Sequence, residues 1–101
     1  MDLRKYQTAV MNGSLVVNDD DRFIESTLGL CGEAGEFADQ VKKEMRDCQD
    51  RTAKQVDELG DVLWYLTSLA GQLGWSLEEL ASLNYQKLHE RHPSTYPAVI
   101  G

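Results

Sequence analysis

Three observations predict an all-α fold, a bundle of four to five helices. Apolar residues recur at the three- and four-residue intervals of amphipathic helices. Strict alternation of apolar and polar residues, which is typical of half-buried strands, is confined to a brief stretch at residues 15–17. Turn-forming residues interrupt the helical pattern only near residues 12–21, 47–51 and 71–76. We therefore expect four helical segments in a single domain over residues 1–101.

The first two predicted helices differ in length. The first covers about residues 3–11 and carries few apolar side chains. The second runs from about residue 22 to residue 47, and either Asp20 or Asp21 is placed to serve as its N-cap. A short connection near residues 47–51 predicts that the second and third helices pack antiparallel.

The last two helices have clear end signals. The third covers about residues 52–73, and Gly74 then suits the left-handed conformation that follows many helices. The fourth begins at Ser76, which forms a capping box with Glu79, and it ends before Pro93.

Charge and composition narrow the range of partners. Ten Lys and Arg against 17 Asp and Glu give a net charge of −7, which disfavours nucleic acid or an anionic membrane as a partner. The longest apolar run is far shorter than the ~20 residues that a membrane span needs. The first residues lack the basic patch and apolar core of a signal peptide. We expect a cytoplasmic protein, with Cys31 and Cys48 as free, buried thiols.

At 100° per residue, the second and third helices each carry one apolar arc that we expect to form the core. These arcs consist of Leu30, Ala34, Phe37, Ala38, Val41 and Met45 on the second helix and of Val56, Leu59, Val62, Leu63, Leu66, Leu69 and Leu73 on the third. A pair of acidic residues spaced i, i+3 borders each arc. The pairs are Glu33 with Glu36 and Glu58 with Asp61.

Antiparallel packing would bring the four carboxylates together. Like charges a few Å apart either raise their pKa values or bind a cation, and oxygen-only ligands favour Mg²⁺ or Mn²⁺. The alternative is that the acids are ordinary solvated surface groups. Four glycines beside them each cost roughly 1 kcal/mol in a helix, which indicates close approach of a helix or a ligand. These glycines are Gly29, Gly32, Gly35 and Gly60.

The acid pairs and their flanking residues resemble the MazG-like all-α nucleoside triphosphate pyrophosphohydrolases. The family signature is a Glu-x-x-Glu followed on the next long helix by a Glu-x-x-Asp, here at residues 33–36 and 58–61. The segment at residues 84–93 resembles the closing helix of the family. The resemblance extends over about residues 6–93.

The resemblance implies hydrolysis of a nucleoside triphosphate, in a house-cleaning or nucleotide-pool role, to a monophosphate and pyrophosphate. It implies Mg²⁺, with Mn²⁺ as an alternative, at the four acids Glu33, Glu36, Glu58 and Asp61. We interpret Glu36 as the base that takes the proton of the attacking water. The family also implies a homodimer or homotetramer.

Four further residues are candidate substrate contacts. The family places an aromatic residue near the nucleoside, which corresponds to Tyr65. Asn84 lies near the centre of the apolar face of the fourth helix, so we expect a buried amide that either joins a structural network or reads a base or sugar edge. Lys87 and Arg91 lie beside it and could reach phosphates.

Two other functions remain open at this point. Phosphoribosyl-ATP carries the same kind of scissile bond, and its pyrophosphatase has similar acid motifs. A non-catalytic helical module whose acidic rim binds a basic partner belongs to a different class of function. The two classes differ in whether Mg²⁺ binds the folded protein.

Overall fold

A computed structural model describes residues 1–14, 16 and 18–99 of the chain, and these residues form α-helices without any strand. The helices are α1 (Leu3–Asn12), α2 (Asp19–Asp47), α3 (Thr52–Gln72) and α4 (Leu77–Arg91). The predicted all-α class is confirmed. The brief alternation at residues 15–17 lies mostly outside the described residues, since Leu15 and Val17 are not among them. No helix in the described part of the chain combines the length and apolarity that a membrane span requires.

The start of α2 corrects one prediction. Asn18, rather than Asp20 or Asp21, is the N-cap, because its backbone is extended and its side chain accepts a hydrogen bond from the Asp21 amide at 3.1 Å. The aspartates Asp19, Asp20 and Asp21 instead form the first turn. Negative charge there interacts favourably with the positive end of the helix dipole.

The predicted ends of the later helices are confirmed. Gly74 has φ of +82°, and Ser76 and Glu79 form the reciprocal capping box at the start of α4. Helix α2 ends at Asp47 as predicted, and Cys48 then takes the left-handed conformation with φ of 53°. Cys31 and Cys48 are free as predicted, but both are exposed, so their predicted burial is wrong.

Helices α2 and α3 pack antiparallel through small and polar side chains at one end. Ser26 of α2 and Ser68 of α3 are buried with their hydroxyl oxygens 3.1 Å apart. Gln72 Nε2 donates to both hydroxyls, at 3.2 and 3.0 Å. One helical turn further along α2, the Tyr65 ring occupies the space beside Gly29. The two backbones therefore approach closely.

Polar contacts hold the opposite end of this helical hairpin. The backbone amide of Arg51 donates to the Glu44 carboxylate at 2.9 Å, and Gln55 Nε2 donates to the other oxygen at 3.2 Å. The Arg51 guanidinium lies 3.4 Å from Asp47. These contacts fix the register of α2 against α3 at the connection.

Helix α1 attaches mainly to α3, and α4 attaches to both α1 and α3. Met11 of α1 packs against Gly71, and the Gln7 amide joins α1 to the start of α4. Its Nε2 donates to the Trp75 carbonyl at 3.0 Å, and its Oε1 accepts from the Leu77 amide at 3.1 Å. Within the described residues, α4 contacts α1 and α3 but not α2.

The predicted core is largely wrong for a single chain. Apolar positions expected inside are exposed, as at Met45 (77%), Val56 (61%) and Leu73 (64%). Ala34, Ala38, Leu59 and Leu66 are exposed as well. The buried residues in the described part of the chain are instead Val10, Ser26, Thr67, Ser68, Ala70 and Leu77. The reason is that α2 and α3 meet beside their apolar arcs, so the arcs point away from the contact.

Substitutions of two glycines on α2 test the close approach of α2 and α3. A methyl group at Gly29 would overlap the Tyr65 ring, whereas a methyl group at Gly35 would meet no neighbouring atom. We expect Gly29→Ala to lower the free energy of unfolding by about 1–3 kcal/mol through overpacking. We expect Gly35→Ala to raise it by up to about 1 kcal/mol, since alanine has the better helix propensity. Urea unfolding without divalent metal measures both, and equal effects would contradict the packing described.

Candidate metal centre

The antiparallel packing of α2 and α3 gathers three carboxylates at the contact between the two helices. Glu33, Glu36 and Glu58 each place one carboxylate oxygen within 4.8 Å of the others. Glu33 and Glu58 are half-buried, whereas Glu36 is exposed. Hence the cluster is open to water at Glu36, whereas the carboxylates of Glu33 and Glu58 are partly shielded from water.

The electrostatics of the cluster indicate crowded negative charge. The pKa of the Glu58 carboxyl lies above its usual range, because its protonated form can donate a hydrogen bond to the neighbouring Glu33 carboxylate and because it is partly withdrawn from water. The negative charges of Glu33 and Asp61 raise this pKa further. A raised pKa means that the charged form of Glu58 is unfavourable in the folded chain without a cation.

An oxygen atom of Glu33 supports the same interpretation. Its Oε2 is buried and finds no hydrogen-bond donor among the described residues. A buried carboxylate oxygen without a donor is energetically costly. Three carboxylates with one such oxygen form a donor set that fits a hard divalent cation such as Mg²⁺ or Mn²⁺.

Asp61, the fourth predicted ligand, lies at the margin of the cluster. It does not belong to the group of oxygens within 4.8 Å. Its charge nevertheless acts on Glu58, and it also acts on Tyr6 of α1. Asp61 is therefore close enough to influence the site electrostatically.

Tyr6 is a neighbour of the site that the sequence analysis did not identify. Its side chain is half-buried, and burial raises the pKa of its hydroxyl, with a further contribution from the charge of Asp61. No spacing in the sequence links these two residues, because the docking of α1 against α3 brings them together. Tyr6 of α1 is thus close enough to Asp61 for the charge of that residue to act on it.

Tyr65 has a packing role within the single chain. Its ring fills the space beside Gly29 and meets the Trp64 ring edge-on, with centroids 5.1 Å apart. It therefore helps to join α2 to α3. The predicted contact of Tyr65 with a nucleoside stays a prediction.

The three candidate residues on α4 do not join the acids within one chain. Asn84, Lys87 and Arg91 are exposed, and α4 makes no contact with α2 in the described part of the chain. The predicted burial of Asn84 is wrong, because α4 is anchored at its first turn, where Leu77 is buried. Their role in substrate binding stays a prediction.

The raised pKa of Glu58 leads to a stability test. Glu58→Gln retains a group that can hydrogen-bond to Glu33 but removes one negative charge. We expect its melting temperature without metal at pH 7 to exceed that of the wild type, and the stabilisation by Mg²⁺ to shrink. The gain at pH 7 should vanish below the ordinary carboxyl pKa of about 4, where Glu58 is protonated in both the folded and unfolded states.

Differential scanning fluorimetry with and without Mg²⁺ measures both effects. Glu25→Gln is the matched control, since Glu25 is an exposed residue of α2 outside the cluster. If both variants responded to Mg²⁺ like the wild type, the acids would be ordinary surface groups.

Two comparisons with known proteins found similar sequences. The family model described as the MazG nucleotide pyrophosphohydrolase domain matches residues 24–96, which include both acid pairs. The chain is 44% identical to the Gene 37 protein of Mycobacterium phage L5 over 70 residues, or 64% of this chain and 61% of that protein. The alignment thus spans less than two thirds of the phage protein. No solved structure matches the chain. The family match covers well over half of the sequence, and the chain therefore belongs to the MazG nucleotide pyrophosphohydrolase domain family.

Proposed function

We propose that this protein hydrolyses nucleoside triphosphates, non-canonical or deoxynucleotides in particular, to the monophosphate and pyrophosphate. The observation that supports this most directly is the cluster of Glu33, Glu36 and Glu58 within the segment matched by the family. We further propose Mg²⁺ as the physiological cation, with Mn²⁺ as a substitute, and Asp61 as the fourth ligand. The cellular role would be house-cleaning or control of the nucleotide pool in the cytoplasm.

The acids have distinct roles in this proposal. Glu33 and Glu58 are half-buried, so their carboxylates are restrained and suited to hold a cation. A divalent cation bound there would neutralise the triphosphate and lower the pKa of a coordinated water. Glu36 is exposed and can reach a water outside the cluster. It would accept the proton of that water as the oxygen attacks phosphorus and pyrophosphate leaves.

The substrate contacts extend the proposal to α3 and α4. Tyr65 would border the nucleoside, and Asn84 would read a base or sugar edge. Lys87 and Arg91 are exposed cations on α4 that suit phosphate oxygens. Because α4 does not contact α2 in a single chain, the proposed active species is a homodimer or homotetramer.

Pyrophosphate release from a panel of ribo- and deoxyribonucleoside triphosphates tests the activity. We expect release that requires Mg²⁺, and a loss of at least about 100-fold in kcat for Glu36→Gln, because general base catalysis typically contributes that much. Glu25→Gln should retain the wild-type rate.

Two outcomes would redirect the proposal. Cleavage of phosphoribosyl-ATP alone would identify a substrate variant of the same chemistry. Silence on every substrate, together with no thermal stabilisation by Mg²⁺, would instead favour a non-catalytic helical module.

A further inference from the structure

We propose that the buried network of Ser26, Ser68 and Gln72 positions the acid cluster, by selecting the register of α2 against α3 in which the carboxylates meet. The three residues act through the helices and are not ligands of the cation. The inference rests on the acid cluster that the proposed function uses, but not on hydrolysis. It assigns a role in forming that cluster to residues at the far end of the helical hairpin.

The network places polar groups in a buried part of the contact between α2 and α3. Ser26 and Ser68 are 3% and 2% exposed, and their hydroxyl oxygens lie 3.1 Å apart. Gln72 donates a hydrogen bond to each hydroxyl, at 3.2 and 3.0 Å. Such bonds add little net stability, because each group has lost its bonds to water. They do fix which residues lie opposite each other, since a shift of either helix would leave buried hydroxyls unpaired.

The packing of Tyr65 against Gly29 does not specify the register by itself. Gly32 follows one turn later on α2, and no neighbouring atom lies within 4 Å of a methyl group built there. A slip of α2 by three residues, with a rotation of about 60°, would therefore offer Tyr65 an equally small neighbour. The same slip would place Gly29 opposite Ser68 and leave the Ser26 hydroxyl without its partner. The network thus distinguishes two registers that the glycines do not.

The acids lie along the same line of contact as the network. Glu33 follows Ser26 by seven residues on α2, and Glu58 precedes Tyr65 by seven residues on α3. Seven residues make almost two turns, so each acid lies on the same side of its helix as that contact residue. A slip of three residues would move Glu33 by about 4.5 Å along the helix axis. Because Mg²⁺ requires ligand oxygens at about 2.1 Å, that displacement would remove Glu33 from the cluster.

The network also opposes the repulsion among the acids. The negative charges of Glu33 and Asp61 act unfavourably on Glu58, and a slip or separation of the helices would relieve this repulsion when no cation is bound. A determinant of register outside the cluster is therefore needed to hold the acids together before a cation binds. Two hydroxyls and an amide suit this role, because they are uncharged and add nothing to the charge of the site.

Isothermal titration calorimetry with Mg²⁺ tests the inference on the double variant Ser26→Ala, Ser68→Ala. We expect its dissociation constant for Mg²⁺ to rise by at least about tenfold, the usual effect of losing groups that orient metal ligands. Its melting temperature without metal should stay within about 4 °C of the wild type, because replacing both partners of a buried hydrogen bond by apolar groups is nearly neutral. Equal affinities of the wild type and the double variant for Mg²⁺ would overturn the inference.

Thr67→Val is the matched control. Thr67 is as buried as Ser68, but its hydroxyl donates to the Leu63 carbonyl of its own helix at 2.6 Å, so it does not link α2 to α3. We expect this variant to bind Mg²⁺ like the wild type. A loss of affinity equal to that of the double variant would show that any change in the buried hydroxyls weakens the site, and it would contradict a specific role of the network.

A comparison without metal reports on the register even if no Mg²⁺ binds. Glu58→Gln is expected to raise the melting temperature of the wild type, because it relieves the crowding of the acids. In the double variant this gain should fall by at least about half, since the acids no longer lie opposite each other. Distant substitutions otherwise have additive effects, so an undiminished gain would overturn the inference.

Gln72→Met covers the case in which the double variant fails to fold. It retains a side chain of similar length and leaves the two hydroxyls to bond each other, but it removes the donor that joins them. We expect the dissociation constant for Mg²⁺ to rise by at least about threefold, and an unchanged value would overturn the inference. A wild type that binds Mg²⁺ and responds to the variants as expected, but cleaves no nucleotide, would overturn only the proposed function.

Discussion

The close approach of α2 and α3 is the constraint on which the rest of this structure depends. It is possible because the facing positions carry small groups, the hydroxyls of Ser26 and Ser68 and the bare backbone of Gly29. Larger side chains there would separate the helices and with them Glu33 from Glu58. The same approach turns the apolar arcs of both helices away from each other. Proximity of the acids and exposure of the arcs therefore have one cause.

The acid cluster contains electrostatic interactions that are unfavourable in the folded chain by itself. Crowded carboxylates disfavour the charged form of Glu58, and Oε2 of Glu33 is buried without a donor. Both features are unfavourable in the isolated chain, and a bound cation would relieve both. The hydrogen bonds of Glu44 and Gln72 at opposite ends of the hairpin hold the helices in register despite this repulsion. If a cation binds here as proposed, the chain without that cation is less stable than it would be without the crowded acids.

Helix α3 contributes residues to two different surfaces of the molecule. One side presents Glu58 and Asp61, next to α2 and α1, and the other presents Val56, Leu59 and Leu66 to solvent. A helix with period 3.6 can separate two such sides within a few turns. As a result, different substitutions can perturb the acids and the exposed apolar side of α3 separately.

Features that depend on residues within a turn or two were determined by the sequence itself. The number of helices, the Ser76 capping box and the position of Gly74 follow from local hydrogen bonding and backbone preference. The i, i+3 spacing places Glu33 and Glu36 on neighbouring turns in any helix, and the short connection brings them opposite Glu58.

Only the tertiary structure decided which element, if any, packs against each side of a helix. Periodicity shows that one side of a helix is apolar, but it does not show whether another element lies against it. For this reason the residues expected in the cores of α2 and α3 are half-buried or exposed rather than buried, and Asn84 is exposed rather than part of a core. The proximity of Tyr6 to Asp61 was equally hidden, because it arises from the docking of helices far apart in the chain. Long-range packing depends on the shapes of both partners, and the pattern of either segment alone does not contain it.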